Sequence, residues 1–288
     1  MKKMKKGLVS IILLNMNGIG LTRQCLESVK KNTAYKPTEI IVVDNGSDAG
    51  NVKELKELKK SGSIGTLILN KANLGYSAGV NQGFEAAGGE FLFHLDNDTL
   101  VEEGWLEKSL EALRNYPKKA GVIGSNLVAE ADYGKGLHGK EIVRERLATC
   151  GAALMYTREA LDKVGLLDAE RFSPIYGEEQ DWCYRARNAG FAVIETNASR
   201  VLHLGGRDTT KSTGAKARRE LLETRRLKAM LYNLTIADML RHFPGLGMVF
   251  LNSLREGMAG AVLKGYWNNA RGIGEILRER KRRKARLF

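Results

Sequence analysis

The chain has 288 residues, 43% hydrophobic and 27% charged, with a formal net charge of +13. This is the composition of a globular protein with room for one large α/β domain and an appendage, and no stretch is long and uncharged enough to span a bilayer. The positive charge points to anionic partners: nucleotides, phosphorylated substrates, acidic lipid or nucleic acid. Cys25, Cys150 and Cys183 are far apart and form no C-x-x-C pair, which argues against a disulfide framework and for a reduced, cytosolic setting.

Lys2, Lys3, Lys5 and Lys6 precede the apolar run Leu8 to Leu14. The run is short and passes straight into Asn15-Met16-Asn17-Gly18 without a small-residue cleavage site. It therefore reads as a first buried strand and not as a signal peptide. A helix over Leu21 to Lys31 follows, then a strand over Glu39 to Val43, a charged helix over Asn51 to Lys60 and a strand over Thr66 to Leu69. Next come a helix over Tyr76 to Ala87, a strand over Glu90 to Leu95 and a helix over Trp105 to Asn115. Strand–helix alternation with short links predicts right-handed crossovers and a mostly parallel sheet with helices on both faces.

From Ala120 the pattern loosens. Val122 and Ile123 suggest a strand, Tyr133 to Gly139 a flexible loop, and Leu147 to Tyr156 a strand kinked at Gly151. A short helix over Glu159 to Val164 is expected, then a helix over Glu178 to Ala189 closed by Gly190. Phe191 to Glu195 and Arg200 to Leu204 read as two further strands. From Ala215 onward only helices are predicted, because Leu227, Met230, Leu231 and Leu234, and later Leu251, Leu254 and Met258, recur at helical spacing. The chain ends in a basic run, Arg278, Arg280, Lys281, Arg282, Arg283, Lys284 and Arg286, before Leu287-Phe288.

Several short segments carry candidate chemistry. Phe91-Leu92-Phe93-His94-Leu95 leads into Asp96-Asn97-Asp98-Thr99. Two carboxylates two residues apart at a strand end can project to one side, where hard oxygen ligands suit Mg²⁺ or Mn²⁺. A capped acidic turn ahead of Glu102 and Glu103 would use the same residues. Val43-Asp44-Asn45-Gly46-Ser47 closes another strand, where Asp44 could accept from a base or ribose, or could simply make an Asx turn. Asn73-Leu74-Gly75-Tyr76-Ser77 opens a helix with small residues, which suits an anion or tight helix–sheet packing. Gly18-Ile19-Gly20-Leu21-Thr22-Arg23 is similar to a nucleotidyltransferase loop and to half of a dinucleotide fingerprint, but Arg23 stands where the third glycine is needed. Glu178-Glu179-Gln180-Asp181-Trp182 gathers acids behind Pro174-Ile175-Tyr176-Gly177; a carboxylate there could take a proton from a hydroxyl, while Asp181 could pair with Arg185. His203, after an apolar strand, could complete a metal shell or be a half-buried histidine.

These pieces occur in one order: Ser10 to Asn17, Val43 to Ser47, Asn73 to Gly75, Leu95 to Thr99, Gly151-Ala152-Ala153-Leu154, Gly177 to Asp181, and His203-Leu204-Gly205-Gly206. Together they resemble the family-2 inverting glycosyltransferases of GT-A fold, especially the rhamnosyltransferase-like branch, over Leu8 to Arg207. The resemblance implies a GT-A domain over residues 1–207 and a helical, basic extension over 208–288. It implies donor contacts from Asn15, Asn17, Asp44, Asn73, Gly75, Asp96, Asn97 and Asp98, and acceptor contacts from Gly151 and Trp182. It places Mg²⁺ or Mn²⁺ on Asp96, Asp98 and His203, and the catalytic base at Glu179, with Asp181 or Glu178 as alternatives because the family's usual residue there is Asp.

The implied reaction is metal-dependent, inverting transfer from a nucleotide sugar, dTDP-rhamnose among the possible donors, to a saccharide or lipid-linked acceptor in surface polysaccharide synthesis. The expected location is cytoplasmic, with the basic tail touching anionic lipid at the inner face of the membrane. A sugar nucleotidyltransferase and a non-catalytic nucleotide-sugar-binding module are the alternatives, and no specific nucleic-acid partner is expected.

Overall fold

The computed structural model describes residues 3–205 and 214–285. The expected domain boundary at residue 207, with Gly206 and residues 286–288, lies outside the described residues.

Alternation builds the centre of the fold. In β1 (Lys5–Asn15) Val9, Ile11 and Leu13 turn to one face and Ile12 to the other, the two-residue period of a strand covered on both sides. β2 (Thr38–Asp44), β3 (Thr66–Leu69) and β4 (Gly89–Asp96) join it through α1 (Ile19–Asn32), α2 (Ala49–Lys60) and α3 (Tyr76–Ala86). The β3-β2-β1-β4 half is parallel throughout, as the alternation predicts.

Beyond β4 the sheet becomes mixed. β5 (Thr99–Val101) and α4 (Trp105–Asn115) are followed by β6 (Ala120–Val128), β7 (Val143–Glu145), β8 (Ala153–Thr157), α5 (Arg158–Val164), α6 (Glu178–Asn188) and β9 (Ala192–His203). β8 inserts antiparallel between β4 and β6, and β9 runs parallel to β6 but antiparallel to β5 and β7. Two expectations are corrected here. The strand predicted over Leu147 to Tyr156 starts only at Ala153, because Thr149 packs beneath Gly124 and Gly151 is claimed by a contact described below. The two strands predicted over Phe191 to Leu204 are one, β9, in which the polar stretch Asn197 to Ser199 is a register shift held by Ser125 Oγ, 2.7 Å from Ser199 Oγ.

Each face carries its own core. Trp105 of α4 meets Phe93 edge-on at 4.5 Å on one side, and Tyr156 meets Trp182 of α6 at 4.8 Å on the other. Each buried Ile, Leu or Phe contributes about 1.5–3 kcal/mol relative to exposure.

After the undescribed segment the chain is helical, as expected: α7 (Ala215–Asn233), α8 (Ile236–Arg255), α9 (Ala259–Arg271) and α10 (Ile273–Ala285). Phe172, Tyr184, Met230, Tyr232 and Ile276 form a third apolar cluster that binds this extension to the sheet domain. The basic run was expected to touch anionic lipid, and two of its described arginines are used inside the protein instead. Arg280 donates to the Leu231 and Leu234 carbonyls, and Arg283 lies over the Tyr232 ring at 4.6 Å and reaches Asp168 at 2.7 Å. Lys281 and Lys284 remain exposed.

Candidate functional site

The C-terminal ends of β1, β2 and β4 meet at one edge of the sheet, where open α/β sheets take ligands. On β4, Leu92, His94 and Asp96 share the face covered by α3 and α6. The chain then turns, and Asp98 is brought to His203 because β5 pairs with the end of β9, Thr99 opposite His203. His203 Nε2 lies 3.2 Å from Asp98 Oδ1 and 3.9 Å from Asp96 Oδ2. One ligand atom from each of the three residues falls within 4.8 Å of the others. The Leu204 amide fixes the turn by donating to the Asp98 carbonyl at 2.9 Å.

This donor set fits a hard divalent cation: two carboxylates and an imidazole, partly open to solvent. Its charge agrees. The hydrogen bond that His203 donates to Asp98, and then the charges of Asp98 and Asp96, raise His203 above its ordinary basicity, so the site attracts positive charge.

Behind Asp96 stands an acidic pair. Tyr76, at the start of α3, donates its hydroxyl to Asp96 Oδ1 at 2.8 Å. Burial and the charges of Asp96, Glu179 and Glu178 keep that phenol protonated, well above its ordinary pKa. Glu179 follows two consecutive left-handed residues, Tyr176 (φ 78°) and Gly177 (φ 88°). A left-handed tyrosine is strained, and such strain gathers where a side chain has to be aimed. Here it turns the first turn of α6 toward β4. Gly177 has no room for a side chain, since a Cβ would sit 2.9 Å from the Arg225 carbonyl.

Loss of hydration and then the Asp96 charge raise Glu179 to about 7. Glu178 is buried, its Oε2 has no hydrogen-bond partner, and burial and then Glu179 push it well above the ordinary range. Burial thus favours the neutral form of Glu178 more strongly than that of Glu179.

Gly151 explains itself against this pair. A Cβ there would collide with Glu179 Oε1 and lie 2.5 Å from Cδ. The Gly151→Ala variant is expected to displace the Glu179 carboxylate with little change in thermal midpoint; if that carboxylate is the proton acceptor, turnover falls by about 10–100-fold. Parallel steady-state and melting measurements check it.

The other edge of the site is a polar cradle. Asp44 and Asn15, both buried, hold each other: Asn15 Nδ2 donates to Asp44 Oδ1 at 2.7 Å, and Asp44 also accepts from the Ser47 amide at 3.0 Å and the Ser47 hydroxyl at 2.5 Å. The Asn17 amide donates to Ser47 Oγ and its Oδ1 accepts from the Asp48 amide. Asn97 turns away from the acid pair and donates to Thr22 Oγ1 at 3.0 Å, and Thr22 in turn donates to Asn15 Oδ1 at 2.8 Å. Asn45 spans the gap, donating to Asn73 Oδ1 and the Gly75 carbonyl while accepting from the Leu74 amide. Gly75 has φ 87°, and its neighbour Tyr76 donates its amide to the Pro174 carbonyl, which seats the loop before α6 on the start of α3.

Two of the expected site residues lie buried away from the strand-end carboxylates. Trp182, expected as an acceptor contact, is fully buried, with its indole N–H donated to the Gly165 carbonyl at 2.8 Å. Asp181, read as an alternative base, is fully buried and points to the helical extension. It accepts from Arg185 at 2.8 Å, from Asn233 at 2.8 Å, and from Arg283. Residues two apart in a helix are rotated by about 200° about its axis, so Glu179 and Asp181 face nearly opposite neighbours. Asp181→Ala is expected to remove a shared partner of Arg185, Asn233 and Arg283, while Arg185 keeps the Val164 and Leu166 carbonyls and Arg283 keeps Asp168 and Glu279, and to cost about 1–3 kcal/mol of stability. Thermal unfolding checks this; a variant with an unchanged midpoint and lost activity would return Asp181 to the site.

Tyr76, Thr22 and Asn45 were not singled out individually from the sequence. The only signal for Tyr76 was an aromatic ring at the first position of a helix facing the acidic strand end.

Residues 10–165 match the profile of the family described as Glycosyl transferase family 2. An uncharacterized glycosyltransferase of Haemophilus influenzae is 29% identical over 132 residues, 41% of this chain and 41% of that protein. A poly-β-1,6-N-acetyl-D-glucosamine synthase of Staphylococcus epidermidis is 26% identical over 117 residues, 41% of this chain and 28% of that one. This chain thus spans well under half the length of these relatives. Among solved structures, a mannosyltransferase of Pyrobaculum calidifontis in complex with GDP-Man and Mn²⁺ superposes with a TM-score of 0.60 at 16% identity, covering 92% of this chain and 75% of that one, which shows a shared fold.

Proposed function

The chain belongs to glycosyl transferase family 2, and from that premise we propose that it transfers a sugar from a nucleotide-sugar donor to an acceptor hydroxyl with inversion. The observation that carries this reading is a cation-ready triad, Asp96 at the end of β4, Asp98 in the turn after it and His203 at the end of β9, linked through Tyr76 to a carboxylate of raised pKa, Glu179. A nucleotidyltransferase has no need of a base beside the metal carboxylates, and a degenerate binding module has no reason to keep one.

In this reading Asp96, Asp98 and His203 hold Mg²⁺ or Mn²⁺, which when bound supplies positive charge to a departing diphosphate. The braced loop Asp44 to Ser47 and the start of α3 at Asn73 to Gly75 border the nucleoside and diphosphate. Asn15, Asn17 and Asn97 act on the donor indirectly, by fixing that loop and the turn between the two aspartates. Glu179 accepts the proton of the attacking hydroxyl. Tyr76 stays protonated and holds Asp96 in place. Attack from the side opposite the diphosphate makes a single displacement, so no enzyme nucleophile is required.

The acceptor is proposed to be a saccharide or a lipid-linked saccharide in a cell-surface polymer, built on the cytoplasmic face where nucleotide sugars are made. The Staphylococcus epidermidis relative, named for a polymer synthase, supports a polymer product. A rhamnosyl donor is one of the possibilities the test separates.

Calorimetric titration with UDP, dTDP and GDP, each with and without Mn²⁺ or Mg²⁺, tests the proposal. Binding of one nucleotide only in the presence of metal is expected and names the donor class. Folded protein that binds none of them would overturn it.

A further inference from the structure

We propose that α8 is a membrane-docking element that lies in the headgroup region of an anionic bilayer. Its stripe Ile236, Leu240, Phe243, Leu251 and Leu254 follows helical spacing on one side, and these side chains are 54–71% exposed. Of the residues in α8, only Ser253 is buried. A soluble monomer rarely leaves so long an apolar stripe uncovered. α9 adds exposed Leu263 and Trp267, one turn apart, with Arg271 stacked on the indole at 5.7 Å. An amphipathic ring paired with a cation is at home where one end is apolar and the other wet.

Charge selects the occupant. Arg241 and Arg255 of α8, Lys264 of α9 and Arg271 at the end of α9 are exposed; Arg241 pairs with Asp238 at 3.2 Å, and Glu256 is the exposed acid that follows α8. A second copy of this chain would bring another +13 of like charge to the contact. Anionic headgroups complement the same cations. No helix of the described residues is long and apolar enough to cross a membrane, so the helix would lie in the interface and would not span it. Membrane contact is thereby moved from the terminal basic run, two of whose arginines are used internally, to the apolar face of α8.

The test is co-sedimentation of the full chain with vesicles of phosphatidylcholine alone, or of equal parts phosphatidylcholine and phosphatidylglycerol. The Leu240→Ser, Phe243→Ser double variant is measured alongside, with its thermal midpoint as a control. Both side chains are exposed, so the variant keeps its fold and all its cations. The wild-type chain is expected to sediment with the anionic vesicles, and the variant to partition roughly a hundredfold less. Equal partitioning of the two proteins, or no sedimentation with either vesicle, would overturn the proposal. So would self-association of the lipid-free wild type that the double variant abolishes, which would make the stripe a contact between copies of this chain.

Discussion

The Glu179→Gln variant is expected to lose about a hundred- to ten-thousand-fold in turnover and to keep its affinity for the donor, the range general-base removal produces. The amide has the same shape, so it still fills the space against the Gly151 backbone, but it cannot accept a proton. The alternatives among its neighbours are weaker on physical grounds. Glu178 is held neutral by burial and by Glu179 itself, and Asp181 is held by arginines on the other side of α6. The same variant carries a stability signature. The folded-state pKa of Glu179 is about 7 against an ordinary 4.5, so ionising it works against folding, and the cost grows as pH rises from the lower value to the upper. Glu179→Gln removes that cost. It should melt higher than wild type above pH 7 and alike below pH 4.5. Initial rates, donor titration and melting curves on one preparation check all three; turnover close to wild type would remove Glu179 as the base.

A base of raised pKa also shapes the pH profile. In the proposed reaction the active form of Glu179 is the charged one, so kcat/KM is expected to climb as pH rises through about 7. The Asp96 charge is the second cause of that shift. A cation seated beside Asp96 would offset the charge, so the acidic limb should move to lower pH as metal occupancy increases. A limb that ignores both metal and the Glu179→Gln change would belong to another group.

The parallel half of the fold was legible because its information is local. β1 to β4 alternate or run apolar over short stretches, and their helices are separated by turn residues, so Thr66–Leu69 and Trp105–Asn115 agree with expectation to the residue. The second half was less legible because its strands answer to distant partners. Leu147 to Ala152 has strand-like composition, yet Thr149 and Gly151 are spent on Gly124 and Glu179. Polar Asn197 to Ser199 looks like a break until the register shift against β6 accommodates it. The site divides in the same way. The carboxylates could be found because Asp-x-Asp at a strand end is visible in one window. Tyr76, about a hundred residues from Glu179, acquires meaning only when α3 and α6 are laid on the same face. Trp182 and Asp181 share a window with Glu179 but not a direction, and only the helix's surroundings separate them.

Asp98→Ala is expected to abolish metal-dependent nucleotide binding while leaving the fold intact. The turn survives because its fastening is main-chain: the Leu204 amide donates to the Asp98 carbonyl, and β5 stays paired with β9. What is lost is one of three candidate ligands and the closest neighbour of His203 Nε2, at 3.2 Å. Even removing an outer partner of a metal ligand costs about 10–100-fold in metal affinity, so removing a ligand should cost at least the upper figure. The acid pair also holds His203 above its ordinary basicity. In the wild type, protons therefore compete with the cation at this imidazole, and Mn²⁺ should bind more weakly as pH falls. In Asp98→Ala the imidazole loses its largest source of positive shift and should titrate lower. Mn²⁺ calorimetry across pH, with circular dichroism for the fold, reads both effects. If the variant bound Mn²⁺ as tightly as the wild type, the cation would have to lie away from β4 and β9. The charge argument linking it to Glu179 would then fail with it, because the cation would no longer offset Asp96.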